Sequence, residues 1–464
     1  MAGLSATPTR AEGNAQSLQQ GMVPKSAVPF MLPAEPTPKY QLKFPDFGYM
    51  PPPTDYTGRV FVLSQDFPKT KPAIEPAVEK ILKIDYRKDW RAYLDAVKQY
   101  VFQGNIDAEN GVEDDFFLED NTVRRWFHVP WQHWGPNGRE GYHGLTKEGP
   151  LPVGSLAPEQ TVKSSAYAVG FYNAMGGWTI GQLWPSAQAP DMSYFQKGGG
   201  FPDGTVVAKL LFTTLDESQV PYLTNPVSWN AYVYQADVPG MPAPPTPGQR
   251  VTAKVHLLQM DIMVRDSRLD KQGGWVFGTY VYNGRMGKAN PWENLVPVGL
   301  MWGNNPEVTV SHTNPTPTAT RINPAITETI INPDTRELPP MHLGWNSRLN
   351  GPADNSASSC MSCHSTAQYP AISAIMPQFN NPAFPTPPDG QDAGPEFMLW
   401  FRNIPWGQAF NKGHAVSLDF SLQMQGSIIN WIAYTDSVQQ GRFSAEYWSK
   451  GNRVSRNPGP APAQ

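Results

Sequence analysis

The sequence predicts an α+β fold. An antiparallel β-rich core, a sandwich or half-barrel, carries helical additions and a mainly α C-terminal region. Three observations predict it. Between residues 160 and 310 the chain breaks into short runs rich in β-branched and aromatic residues, near-alternating and bounded by Gly and Pro clusters. The 49 Pro and 40 Gly among 464 residues would interrupt any long helical bundle. Helical periodicity is clear in only two stretches, one before the β-rich region and one near the C-terminus.

Residues 1–57 are rich in Pro and polar residues, end near Pro51-Pro52-Pro53, and read as an extended surface arm. Residues 58–159 form a helix- and loop-rich region. Its clearest element is an amphipathic helix over 84–103, where Trp90, Leu94, Val97 and Val101 recur at helical steps and Gly104 supplies the stop. The acidic run Glu113, Asp114, Asp115, Glu119 and Asp120 reads as a solvated face, with docking of a basic redox partner as the alternative. In the β-rich domain, 160–310, strands are expected over 205–213, 228–235, 251–264 and 275–282, the last with a period-two face. The Gly198-Gly199-Gly200 run precedes a strand and reads as a turn, not a phosphate cradle. A Pro/Thr-rich connection covers 311–341; its apolar alternation from Ile322 to Ile331 suggests chain ordered against a neighbour. Residues 342–464 end in a helix expected over 418–435, with Phe420, Met424, Ile428 and Trp431/Ile432 on one face.

Charge and hydropathy exclude several classes. Net charge is −4, only 16% of residues are charged, and no Lys/Arg run exceeds two, so the electrostatic footprint for nucleic acid is missing. No stretch of 18 apolar residues exists, so no membrane span is expected. The N-terminal MAGLSATPTRAEGNAQSLQQG has no apolar h-region. Either a signal peptide was removed before this numbering begins or the protein has none.

The chain has two cysteines, and both fall in Cys360-Met361-Ser362-Cys363-His364. A C-x-x-C-H run reads as c-type haem attachment. One helical turn puts both sulfurs on one edge of a macrocycle, where they add to the two vinyl groups as thioethers. His364 then projects over the ring face as the proximal iron ligand. Three other readings compete, of which chance is made remote by both cysteines falling in one such run. A redox dithiol usually opens a helix after a strand, whereas a loop precedes Cys360. A zinc site would need His342 or His414 to converge on the two cysteines.

The sixth iron position decides between electron transfer and substrate chemistry. Met376, Met398 and Met424 are thioether candidates and His414 is the nitrogen candidate, with core packing the alternative for each Met. A second dense cluster holds Arg124, Arg125, His128, His133, Arg139, Glu140 and His143 among tryptophans. It reads as distal-pocket residues, as haem-propionate partners (Arg124, Arg125, Arg139), as a separate metal site, or as an aromatic surface loop whose histidines bond backbone carbonyls.

The run from Arg348 through Asn355 into Ser359–Gln368 resembles the attachment segment of large single-haem bacterial proteins of the cytochrome c family, which are secreted or periplasmic. A second, shorter similarity is to the cytochrome P460 family, in which a β-rich domain carries a strand of type F-P-x-G-x-x-x-x-K. Phe201-Pro202-Asp203-Gly204 to Lys209 matches that strand here. In that family a lysine cross-links to the haem; about 100 residues follow the motif in this chain, more than in P460 proteins, and the role is not carried over to Lys209. The resemblances imply a cytochrome c-like haem region over 342–464 with one covalent haem c. They also imply a periplasmic or secreted protein acting in redox chemistry. It is either an oxidoreductase with a substrate pocket over the haem, taking a small molecule, or an electron-transfer cytochrome that docks a redox partner protein.

Overall fold

In a computed structural model, the chain is described over residues 64–439 apart from 107–114, 133–137, 246–247, 313–321, 373–375, 377–385 and 412; before residue 64 only 30–31, 44, 47–48 and 61 are described. The expected N-terminal arm falls almost wholly outside these residues, as do Glu113, Asp114 and His133.

Helices α1 (Pro76–Lys83) and α2 (Trp90–Phe102) lead into one large antiparallel sheet. Its strands are β1 (Thr146–Leu151), β2 (Ser164–Tyr172), β3 (Val206–Thr213), β4 (Ser228–Tyr234), β5 (Arg250–Arg265), β6 (Trp275–Tyr282), β7 (Leu295–Met301) and β8 (Thr329–Ile331). Their spatial order is β8-β7-β6-β5-β3-β2-β1. The 16-residue β5 is shared: its first half pairs with β4 and its second half with β3. Helix α3 (Ala174–Leu183) and the short α4 (Ser193–Gln196) fill the β2–β3 connection. After the sheet come α5 (Cys360–His364), α6 (Pro395–Met398) and α7 (Leu422–Gln439), with the two-residue strands β9 (Gln368–Tyr369) and β10 (Val416–Ser417) paired to each other.

The fold is α+β, as expected, but the strands join a single sheet. Among the described residues the layers against it are helices and loops, not a second large sheet. Sequence boundaries at 160 and 310 cut this sheet, because β1 and β8 lie outside them. The expected period-two face of Trp275–Tyr282 is not seen either: all eight residues of β6 are buried, so both faces are covered.

One face is covered by α2. Leu94 lies over Gly278, where a side chain would collide with it, and Tyr280 donates to the Leu94 carbonyl at 2.6 Å. Tyr93, Leu94, Val97 and Val101 are fully buried, each burial stabilising by roughly 2 kcal/mol. The helix expected from residue 84 starts at Trp90; residues 76–83 make the separate α1, opened by Pro76 at its first position. The acidic run also differs from expectation. Asp115 and Glu119 are buried, drawn in with Phe116 and Leu118, which pack into the core.

The opposite face carries the segments 350–364 and 417–424. The helix expected from 418 begins only at Leu422, because Asp419 and Phe420 take left-handed backbone conformations (φ 47° and 63°).

Candidate haem-attachment site

Local sequence builds α5. Ser359 is its N-cap: the Ser362 N–H donates to Ser359 Oγ at 3.1 Å, and the Ser359 N–H donates to Ser362 Oγ at 2.8 Å, a reciprocal capping box. Ser359 Oγ also donates to Asn304 Oδ1 at 2.9 Å, and the Cys360 N–H to the Leu349 carbonyl, tying the helix to the loop before it.

Side chains divide along the motif. Met361 and Ser362, the two spacers, are fully buried, whereas Cys360, Cys363 and His364 all keep accessible surface. The His364 Nδ1–H donates to the Phe420 carbonyl at 2.8 Å, and its ring lies 5.3 Å from that of Phe277 on β6. Nε2 is thereby left as the free, lone-pair nitrogen. Burial pushes the His364 pKa down to about 4, so the ring is neutral, as a metal ligand must be. Burial raises both thiols, with the carboxylates of Asp261 and Asp354 adding to it at Cys360; Cys363 is pushed up to about 12.

The sheet supplies a polar floor beside the motif. Strand register places Gly170 (β2), Lys209 (β3), Asp261 (β5), Thr279 (β6) and Gly299 (β7) in one row across five strands. Thr279 Oγ1 donates to Asp261 at 2.8 Å and stands 3.8 Å from Cys360 Sγ. The fully buried Gln259 reaches Asp261 at 2.9 Å and Asp354 at 2.7 Å through its amide nitrogen, and its carbonyl accepts from the Ala353 N–H. Lys209 pairs with Glu148 of β1 at 3.2 Å, and the two side chains remain 30% and 36% accessible. Burial opposes the charge on Lys209, but Glu148, Asp354 and Asp261 outweigh it and hold its pKa up. Burial raises the Asp261 and Asp354 carboxyls; at Asp261 the charge of Asp354 adds to it. Accessible polar groups thus lie beside the accessible thiols and imidazole. Sequence reading set Lys209 aside; the structure places it where its charge acts on both Cys363 and His364.

Other expected site residues lie elsewhere. Arg124 pairs with Glu75 and donates to the Tyr100 carbonyl, and Arg125 pairs with Asp66. Arg139 is buried and donates to the Phe61 carbonyl. None of these contacts involves the motif. His128 is buried beyond β2, its Nδ1–H donating to the Gly170 carbonyl at 2.9 Å. That contact ties His128 to β2 and not to the motif. His143 stacks on Trp229 at 4.2 Å, and the buried Glu140 carboxylate accepts the N–H groups of Tyr142, His143 and Leu145. The loop's described histidines thus diverge, each bonded to a backbone carbonyl.

Met424 is fully buried on α7. Met398 on α6 and Met376 are half-buried, and His414 is exposed. His342 is buried, bonded through Nδ1 to the Pro339 carbonyl. Among the described residues no three His, Cys, Asp or Glu side chains converge as a metal site.

These residues fit a c-type haem: two accessible protonated thiols one turn apart and a neutral histidine with a free Nε2. No protein-family model, curated protein or solved structure matches the chain. No helix among the described residues is long and apolar enough to cross a membrane.

Proposed function

We propose that the chain is an extracytoplasmic c-type haem protein acting in redox chemistry, holding one haem through Cys360 and Cys363 with His364 on the iron. The observation that carries this reading is the division within α5: the three residues the chemistry requires are the accessible ones, and the two spacers are buried. Bound there, the haem would supply an iron able to exchange electrons or to take a small ligand. The protein's own part is to hold the imidazole through the Phe420 carbonyl and to present Lys209, Glu148, Asp261 and Asp354 at the site.

That polar floor favours an oxidoreductase over a simple carrier, which needs no such groups. The floor offers hydrogen-bonding side chains to a small-molecule substrate. In the electron-transfer reading a Met or His fills the sixth position, with Met376, Met398, Met424 and His414 as the candidates.

On a denaturing gel stained for haem peroxidase activity, the periplasmically expressed chain is expected to retain colour. Cys360→Ala or Cys363→Ala should leave one thioether and a weaker band, and the double variant none. A colourless wild-type band overturns the haem reading. For the oxidoreductase reading, optical spectra should show high-spin or weakly ligated iron that binds cyanide or nitric oxide. A low-spin His/Met spectrum indifferent to both overturns it.

A further inference from the structure

We propose that Asp419 is a positioning residue for His364, holding in place the Phe420 carbonyl that orients the imidazole. This rests on the haem reading above and adds a residue outside the motif to the machinery of the site.

The Asp419 carboxylate is buried and accepts three N–H groups from three separate parts of the chain. The Phe201 backbone N–H donates at 2.6 Å, Trp275 Nε1 at 3.0 Å and Trp406 Nε1 at 3.0 Å. All three meet on a turn that has little reason to form unaided. Asp419 and Phe420 are consecutive non-glycine residues with positive φ, a conformation costing of order 1–3 kcal/mol at each position. The surroundings are shaped to the turn. A side chain at Gly200 would strike the Asp419 carboxylate, and one at Gly273, whose φ is +121°, would strike the Phe420 ring. Strand β6 contributes twice: Trp275 holds Asp419, and two residues on, Phe277 walls the imidazole of His364 and contacts Phe420.

The consequence for His364 is specific. A left-handed Phe420 aims its carbonyl at Nδ1; a residue relaxed into the ordinary helical region would turn that carbonyl away. With Nδ1–H held, the tautomer is fixed, and Nε2 gains basicity and a set direction, as outer partners of metal-ligating histidines do. Asp419 touches neither the ring nor the place of the iron, so it acts wholly through Phe420.

The test uses Asp419→Asn, which keeps the volume but sets an amide N–H against at least one of the three donors. Val233→Ala on β4, remote from the turn, serves as a comparably destabilised control. In the full chain expressed haem-free with nitrogen-15 histidine, exchange of the His364 Nδ1–H with solvent is expected to be at least tenfold faster in Asp419→Asn than in wild type, and unchanged in Val233→Ala. In the haem-loaded chain, the reduction midpoint should shift in Asp419→Asn and not in the control. If Asp419→Asn fails to fold, Trp406→Phe removes one donor from a half-buried side chain and should give an intermediate acceleration. Exchange within twofold of wild type in whichever variant folds overturns the proposal. Because exchange is read without haem, that failure is distinct from a colourless gel, which overturns the haem reading alone.

Discussion

Replacing Arg348 by methionine is expected to cost about 3–5 kcal/mol of stability and to loosen the haem motif along with the fold. Arg348 is fully buried without a carboxylate in contact. Its Nε donates to the Asn304 carbonyl at 2.7 Å, Nη2 to those of Asn305 and Val308 at 2.8 and 3.2 Å, and Nη1 to that of Trp345 at 3.3 Å. The planar guanidinium packs against both Trp345 and Phe401, 4.7 Å from each ring centroid, and the two rings lie 4.6 Å from each other. Burial brings its pKa down to about 9, against the pull of Glu307 and Glu328, so it is still charged at neutral pH. Methionine fills the volume but withdraws the side-chain donor from four carbonyls; those of Asn305 and Trp345 keep a backbone N–H, and the orphaned acceptors of Asn304 and Val308 carry the cost. Lysine is expected to recover only part of the loss, because an ammonium cannot fork to carbonyls on several sides. Asn304 also accepts from Ser359, the cap of α5, so the damage should reach Cys360. Urea unfolding measures the stability, and labelling of Cys360 and Cys363 by a thiol reagent in the haem-free chain measures the loosening. A loss under 1 kcal/mol with unchanged labelling would show that the arginine is not the organising group.

What could be read from the sequence follows from how local each signal is. β6 was placed residue for residue, because Gly273-Gly274 and Asn283-Gly284 bound an uninterrupted β-branched and aromatic run. The haem motif is likewise wholly local. Lys209 and Asp261 are a different case: they adjoin only because β3 and β5 pair across the intervening β4, in a register shifted by the bulge at Leu211/Phe212. No spacing rule reports that. Phe420, Met424 and Ile428 do recur at helical steps, and the periodicity carried the expected helix too far towards the N-terminus. The sign of φ at Asp419 and Phe420 is set by distant donors, Trp275 and Trp406, which leave no trace around residue 419. The His/Trp-rich loop shows the limit of density as a signal: it left a pocket and carbonyl-bonded histidines as alternatives, and His128 and His143 are each bonded to a backbone carbonyl on a different strand, at Gly170 and Asn230.

Stability is expected to fall on acidification through a window that His128 and His342 define. Both are buried, and both lend Nδ1–H to a carbonyl while Nε2 has no hydrogen-bond partner. Burial pushes the His128 pKa down to about 3, with the charge of Arg139 adding to it, and pushes that of His342 down to about 4. The sign follows from proton uptake. Above pH 6.5 neither the folded nor the unfolded histidine is protonated, and the full stability is present. Below it the unfolded chain takes up a proton that the folded chain refuses, so each group removes about 1.4 kcal/mol per pH unit, or about 3 kcal/mol by pH 4. Asp419 works the other way. Burial raises its pKa to about 6, so its contribution is present at low pH and is lost as pH rises through 6. Urea unfolding between pH 4 and 7 separates the two effects by slope. His128→Asn and His342→Asn, which keep an amide N–H near the Nδ1 position, should each flatten the acid limb by about one proton, whereas Asp419→Asn should steepen it. A fixed packing penalty from any substitution shifts the whole curve and leaves the slope alone, so an unchanged slope in both histidine variants would mean that neither ring is held neutral by the fold.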